Sequence, residues 1–483
     1  MRKIWTVVAV ALFTASPLAL RAETLTDALI SAYRNSHLLD QNQAVLRAAD
    51  EDLATAVGTL MPVFSYELDI GASGTYNVEQ QYGFNPVTKK FDLALPRQSD
   101  LATSDTLSLI ASMTLWDFGR GQLNINLRNE LVLASQQSLV NIEQGVLLDA
   151  VSAYVNMGLQ TELVAAQQSN VRLIIQDLRA AKDRFDVGEV TRTDVALAEA
   201  QLASANAALA SAQGNYNIAR ERYNAAIGHY PGRLSGLPKY PVTAKTVEAA
   251  RQIALRTHPV VLQTQHQAKA ADLGVDLARA QMLPMVSGSA SLSQRFTGNG
   301  AGPLFSGGST GAIGENFGIK MTQTIYAGGQ LSSQLRKAVA QQQQSHAGLL
   351  QTGVNVSEAV GKAWANILVS NASIKAGDEQ IRAAQAAYDG VKQEADLGSR
   401  TTLDVLDAEQ NLLSARASRL QAAANLYISQ YQLLSAMGLL TANHLHLGIP
   451  TFDPQAYLNA VKHAPATSGR GAKLDHILKT LGK

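Results

Sequence analysis

No cysteine occurs among the 483 residues. Disulfides therefore play no part in the fold, and no thiol at a mature N-terminus can carry lipid. Aromatic residues are scarce, at 6%. With Ala and Gln abundant, that scarcity suits long helices better than a compact mixed core. An excess of one charge is also missing: 40 Lys and Arg stand against 39 Asp and Glu, which removes the basic footprint of a nucleic-acid binder. Beyond the N-terminal region no stretch supplies the roughly 18 to 20 consecutive apolar residues of a transmembrane helix. Any membrane anchoring must then come from strands. His-Glu-x-x-His and Gly-x-Ser-x-Gly do not occur, and the glycine-rich run Gly298-Asn299-Gly300-Ala301-Gly302-Pro303 lacks the Gly-Lys-Ser/Thr ending of a phosphate-binding loop. An enzyme is not expected, nor a cofactor. His444-Leu445-His446 offers two metal ligands at most and reads as a pair of solvated histidines, not a structural metal site.

The first 22 residues read as a secretory signal. Arg2 and Lys3 form a positive start, Ile4 to Ala15 supply a short apolar stretch, and Ala22 suits the residue before a cut. The mature chain is expected to begin near Glu23.

The rest reads as two copies of one unit. Trp116-Asp117-Phe118-Gly119-Arg120 is paralleled by Tyr326-Ala327-Gly328-Gly329-Gln330, Val187-Gly188 and Thr193-Asp194-Val195 by Leu397-Gly398 and Leu403-Asp404-Val405, and Ala226-Ile227-Gly228 by Ala436-Met437-Gly438. The separation is 210 positions each time (116 to 326, 188 to 398, 228 to 438). Upstream, Leu60-Met61-Pro62 parallels Met282-Leu283-Pro284 and Asn35-Ser36-His37 parallels Thr257-His258-Pro259, at a separation of 222 (62 to 284). The first copy is thus longer by 12, the difference of 222 and 210, all of it between Pro62 and Trp116. A segment that tolerates such a change is expected to hold a surface loop.

Each copy carries two amphipathic strands. Phe64, Tyr66, Leu68, Ile70 and Ala72 share one face of an alternating run, with Ser65, Glu67, Asp69 and Ser73 on the other. Leu107, Leu109, Ala111, Met113 and Leu115 repeat the pattern, as do Val286, Ala290 and Leu292, then Phe317, Ile319 and Met321. Residues 75–100 and 295–316 are polar and turn-rich and read as external loops. Four strands can form a small sheet on the helices or membrane hairpins. A membrane reading requires an oligomer, because four strands cannot close a barrel and an open edge is not tolerated in lipid.

The remainder is helical. Residues 120–184 contain no proline and would span roughly 100 Å at ~1.5 Å per residue, with Gly145 and Gly158 as candidate interruptions. After Asp194 a heptad seam runs Val195, Ala198, Leu202, Ala205, Leu209, Ala212, Tyr216, Ala219 and Tyr223. Its counterpart runs Val405, Ala408, Leu412, Ala415, Arg419, Ala422 and Leu426. Each long helix and its successor therefore form a hairpin, turning at Gly188 or Gly398. A purely structural or adhesive envelope coiled coil would account for the heptads but not for the strands.

Arg184-Phe185-Asp186-Val187-Gly188 with Thr193-Asp194-Val195, and Gly398-Ser399-Arg400-Thr401 with Asp404-Val405-Leu406-Asp407-Ala408, resemble the hairpin tips of the TolC family of outer-membrane efflux and type I secretion proteins. The ending, Phe452-Asp453-Pro454 through Tyr457-Leu458 to Ala464-Pro465, is similar to members serving type I secretion. The resemblance implies a mainly α fold with membrane β: a homotrimer whose 12-stranded β-barrel, four strands per chain, continues into a 12-helix periplasmic α-barrel. It implies an outer-membrane location in a Gram-negative cell, contact with outer-membrane lipid, a periplasmic adaptor and an inner-membrane ABC or RND-type pump. Protein secretion and small-molecule efflux both stay open. The expected organisation is 1–22 signal, 23–228 first repeat, 229–246 equatorial linker, 247–438 second repeat and 439–483 equatorial segment with a flexible tail. Strand hairpins are placed at about 62–116 and 284–326, and helical tips near 184–194 and 394–404.

Val187, Gly188 and Thr191, with Leu397, Gly398, Ser399 and Thr401, are the expected adaptor-docking tips, although the same residues also serve turn chemistry. Asp194, Arg400, Asp404 and Asp407 are the expected periplasmic gate. Thr191 to Asp194 and Thr401 to Asp404 are also capping spacings, so the role of Asp404 stays open. Asp407 has Leu197 as its counterpart, so capping does not require an acid there. In a trimer Asp404 and Asp407 would form two carboxylate rings that favour cations, and Arg400 resembles a family gate residue. Ala395 stands where the family's tip carries a tyrosine in its gate network.

Overall fold

The computed structural model describes residues 22–78, 81–94, 97–241, 244–299, 310–450, 452–461 and 476. Residues 1–21 of the expected signal at 1–22 and most of the tail beyond 461 lie outside them. In chain order the elements are α1 (Leu25–Asn35), α2 (His37–Gly58), β1 (Val63–Val78), β2 (Gln81–Asn85), β3 (Lys90–Ala94), β4 (Arg97–Trp116), α3 (Arg120–Asp186) and α4 (Arg192–Ile227). There follow α5 (Val247–Thr257), α6 (Pro259–Ala280), β5 (Met285–Asn299), β6 (Thr310–Thr322), α7 (Gln330–Asp396), α8 (Thr402–Ala436) and α9 (Pro454–Val461). Two helices, strands and two long helices thus occur twice in the same order, and α3 and α7 both have 67 residues.

The chain divides into two compact units. Among the described residues, one holds those up to Val45, Gln136–Gln263 and Leu350–Phe452; the other holds those in Leu46–Ser135, Thr264–Leu349 and from Asp453.

The second unit is built on an antiparallel sheet in the order β1-β4-β5-β6. The register places Tyr66 opposite Leu109, Leu109 opposite Leu292, and Ala290 opposite Phe317. Directly opposed residues share a face, so the alternation seen in each strand fuses into one apolar surface. That surface is exposed: Phe64 at 72%, Tyr66 at 82% and Phe317 at 80%. The extra length of the first copy is not a plain loop. β2 and β3 form a second, two-stranded sheet, held by an edge-to-face contact of Phe84 and Phe91 and by the Asn85 side chain, which accepts from the Val87 and Thr88 amides. A side chain bonding two residues ahead makes a turn without glycine, which is why the polar run read as a loop. β5 likewise continues to Asn299 and β6 begins at Thr310, so much of 295–316 is strand; 300–309 lie outside the described residues.

Each strand-to-helix junction uses two successive left-handed residues, Phe118 and Gly119 before α3, Gly328 and Gly329 before α7. Asp117 accepts from the amides of Gly119 and Gly121, and Arg120 donates to the Ala280 and Leu283 carbonyls, both at 3.1 Å. α9 packs on α2, with the Tyr457 hydroxyl donating to Glu51 at 2.8 Å.

The first unit has a helical core. Leu25, Leu147, Tyr154, Tyr223, Ile227, Leu434 and Leu440 are all at or below 1% exposure. The Tyr154 hydroxyl lies 2.9 Å from both the Glu23 and Ser235 carbonyls. α3 runs without a break through Gly145 and Gly158, against the sequence expectation. Glycine costs a helix about 1 kcal/mol, and the burial of Leu147, Val151, Tyr154 and Met157 around those positions outweighs it, at roughly 1.5–3 kcal/mol for a large side chain. Along α4 every seam residue from Val195 to Tyr223 is buried or half-buried, while most of their neighbours are exposed. In α8 the seam admits Arg419 because Gly377 of α7 lacks a Cβ: one built there would come within 3.1 Å of the Arg419 side chain. Arg419 then reaches Asp378 at 3.1 Å.

Candidate functional site

Both hairpin tips lie within the first unit and are built alike. α3 ends at a left-handed Gly188 (φ +84) and α7 at a left-handed Gly398 (φ +79). The Glu189 amide donates to the Arg184 carbonyl and the Ser399 amide to the Glu394 carbonyl, both at 2.9 Å. These are the six-to-one bonds that close a helix on a glycine. Ser399 adds a hydroxyl bond to the same carbonyl, at 2.8 Å. The next helix starts with a complete capping box in each case. Thr191 donates its hydroxyl and amide to Asp194 at 2.7 and 2.9 Å, and Thr401 does the same to Asp404 at 2.8 and 2.9 Å. The amides of Asp194 and Asp404 bond back to the threonine oxygens.

These bonds act on the acids. Side-chain and backbone bonds from Thr191 hold Asp194 below the ordinary carboxylate range. The Thr401 amide, then its hydroxyl, does the same for Asp404, with the Arg400 charge adding to it. Both acids are therefore engaged in capping in this state. Asp407 caps nothing; it is exposed one turn further along α8, three residues from Asp404 and on the same side.

Arg400 is bonded by Nε to Glu394 at 2.8 Å, a residue that sequence reasoning did not single out. The Glu394 carboxylate first, and the Asp404 charge second, strengthen the hold of Arg400 on its proton. Ala395 is buried, at 7% exposure, and its carbonyl accepts from Arg184 of α3 at 3.3 Å. That bond links the two hairpins. Its only sequence signal is Arg184 in the first tip motif. The seven expected docking residues fall as two clusters, one per turn. Val187 and Leu397 are bare at 70% and 86%, and Gly188, Thr191, Gly398, Ser399 and Thr401 are exposed. His444 and His446 are both exposed. Among the described residues no helix is long and apolar enough to cross a membrane, and no group of three or more His, Asp or Glu side chains is placed to hold a metal.

Residues 29–229 and 250–439 match the family model described as outer membrane efflux protein. The chain is 32% identical over 441 residues to the outer membrane efflux protein BepC of Brucella suis biovar 1, covering 91% of each. It is 26% identical over 329 residues to the outer membrane protein TolC of Escherichia coli K12, covering 62% of this chain and 63% of that one. The solved structure of the outer-membrane channel OprN superposes with a TM-score of 0.70 over 86% of this chain and 89% of the other, at 21% identity, which speaks to the fold alone. This chain belongs to the outer membrane efflux protein family.

Proposed function

We propose that the chain is the exit duct of a tripartite export system, assembled as a homotrimer in the outer membrane and extending into the periplasm. One observation carries this reading: a four-stranded sheet with a continuous bare apolar face and two unpaired edges, β1 and β6. In hydrocarbon an apolar face is stable, but an unpaired edge costs several kcal/mol for each unsatisfied group. Pairing β6 of one copy with β1 of the next removes both edges. Three copies supply twelve strands, within the range of closed outer-membrane barrels, and the two hairpins of each copy bring the helices to twelve in all. The recurring element order supports an internal duplication, with repeats at 23–228 and 247–438 joined by an equatorial linker at 229–246. Residues 1–22 act as a cleaved export signal, and 439–483 form an equatorial segment and tail.

In this assembly the exposed tips at Val187, Gly188, Thr191, Leu397, Gly398, Ser399 and Thr401 receive a periplasmic adaptor. Arg400, Asp404, Asp407 and Asp194 surround the mouth, where Asp404 and Asp407 form the cation-favouring rings. The cargo, a secreted protein or a small toxic molecule, is delivered by an ABC or RND-type pump and passes unchanged. The mass of the detergent-extracted protein tests the assembly: a trimer is expected, with channel activity in a planar bilayer. A monodisperse monomer overturns it.

A further inference from the structure

A second feature of the hairpins stands apart from the tips. Lys182 and Glu199 join α3 to α4 by an exposed ion pair of 2.8 Å. At a separation of 210 positions stand Lys392 and Glu409, in α7 and α8. The same two residue types recur, yet the second acid is in a different place. Glu409 is only 5% exposed, and neither of its carboxylate oxygens accepts a hydrogen bond. The group facing it is a second carboxylate, Asp177 of α3. The counterpart of Asp177 in the second hairpin is Ala387, so the acid–acid contact arises once, between hairpins.

The surroundings are mostly apolar. Val171 and Ile174 of α3, Ala205 of α4 and Leu406 of α8 form one buried cluster, with Leu202 and Leu209 of α4 packed on it. A cavity of about 60 Å³ opens beside it, lined among others by Asp177, Arg184 and Lys392. The charged and titratable groups from each packed helix are few. α3 brings Asp177 and Arg184; α7 brings Lys392, which favours the charged form of Glu409, and Tyr388. α4 brings apolar side chains to the buried cluster, its Glu199 being held outside by Lys182.

Two ionised carboxylates in contact are both acceptors and repel. One proton turns the contact into a hydrogen bond, the protonated Glu409 carboxyl donating to Asp177. We propose that Asp177 and Glu409 form a proton-operated latch between the two helical hairpins, closed when the pair holds one proton and loosened when both acids are charged. The duct reading supplies what the latch regulates, the packing of one hairpin on the other near the periplasmic end. The latch itself rests on the side-chain geometry.

Burial first, and the Asp177 charge second, push Glu409 up to about 7. An acid raised in the packed form and ordinary in the loosened form binds more protons when packed. Packing is then strongest at acid pH and weakens as pH rises from about 4.5 through about 7.

Amide hydrogen exchange on the full chain extracted in detergent tests this, after correction for the intrinsic pH dependence of exchange. In the wild type, protection in 171–180 and 402–412 should fall on the order of tenfold between about pH 5.5 and about pH 8. Glu409→Gln, which bonds without a titrating proton, should reduce the change to less than about twofold. Asp177→Asn should shrink it as well, and it decides the matter if Glu409→Gln does not fold. Glu199→Gln should leave the wild-type profile. A wild type without pH dependence, or a wild-type profile in the glutamine variant, overturns the latch. Exchange does not require conduction, so a failed conductance assay leaves this result standing.

Discussion

The two hairpin tips share a backbone and differ in charge. Each has a left-handed glycine, a six-to-one closing bond and a Thr–Asp capping box of nearly equal distances. At the separation of 210 positions, however, Arg184 stands against Glu394, Val190 against Arg400 and Leu197 against Asp407. At the four places where the second tip holds Glu394, Arg400, Asp404 and Asp407, the first holds Arg184, Val190, Asp194 and Leu197, its further charges being Asp186, Glu189 and Arg192. What the tips have in common is what a helical turn needs. What differs is the placing of charge, and the paired acids Asp404 and Asp407 occur in the second tip.

The largest effect tests the shared part. Replacing Gly188 and Gly398 together by valine forces a β-branched residue into the left-handed region, at a cost of order 1–3 kcal/mol per site. Export should be lost while the oligomer still assembles, as read by secretion assay and detergent mass. Normal export would remove the tips from adaptor docking.

The charged part comes next. Asp404→Ala with Asp407→Ala should weaken cation preference and block by multivalent cations several-fold in single-channel recordings. Arg400→Ser, which frees Glu394, should raise conductance. Asp194→Ala should leave selectivity close to the wild type. Equal effects from Asp194 and the Asp404–Asp407 pair would erase the contrast between the tips.

The smallest effect is on stability. Thr191→Ala and Thr401→Ala should each cost about 1 kcal/mol, the usual worth of an N-cap, and by similar amounts, as denaturant unfolding of the two variants would show. Both capping acids are held below their ordinary range. Their contribution is therefore present above about pH 4 and lost as pH falls through the lowered values. A cap loss felt at one tip only would show that the matching geometries are not matched in energy.

Much of this was legible in the residues. The strand alternation at Phe64 to Ala72, the glycines at 188 and 398 and the Thr-x-x-Asp spacings are local signals, each decided within a few residues. The β2–β3 hairpin was missed because its turn, Pro86 to Lys89, has no glycine and rests on the Asn85 side chain, and the strands beside it are short and polar. The partner of Arg400 was missed because Glu394 lies across a turn, where spacing along the chain does not show proximity. The seam pattern placed Ala408 inward, yet Glu409 beside it is the more buried. A heptad describes one helix against one neighbour, and α8 packs against more than one.

The sequence by itself determined the long helices, the four main strands, the recurrence of motifs and the capping of both tips, because periodicity and capping depend on neighbours in the chain. Only the tertiary structure decided that Glu409 is buried against Asp177 while Glu199 stays paired in solvent. Both acids sit in the same local pattern, and burial depends on which helix arrives from elsewhere in the chain.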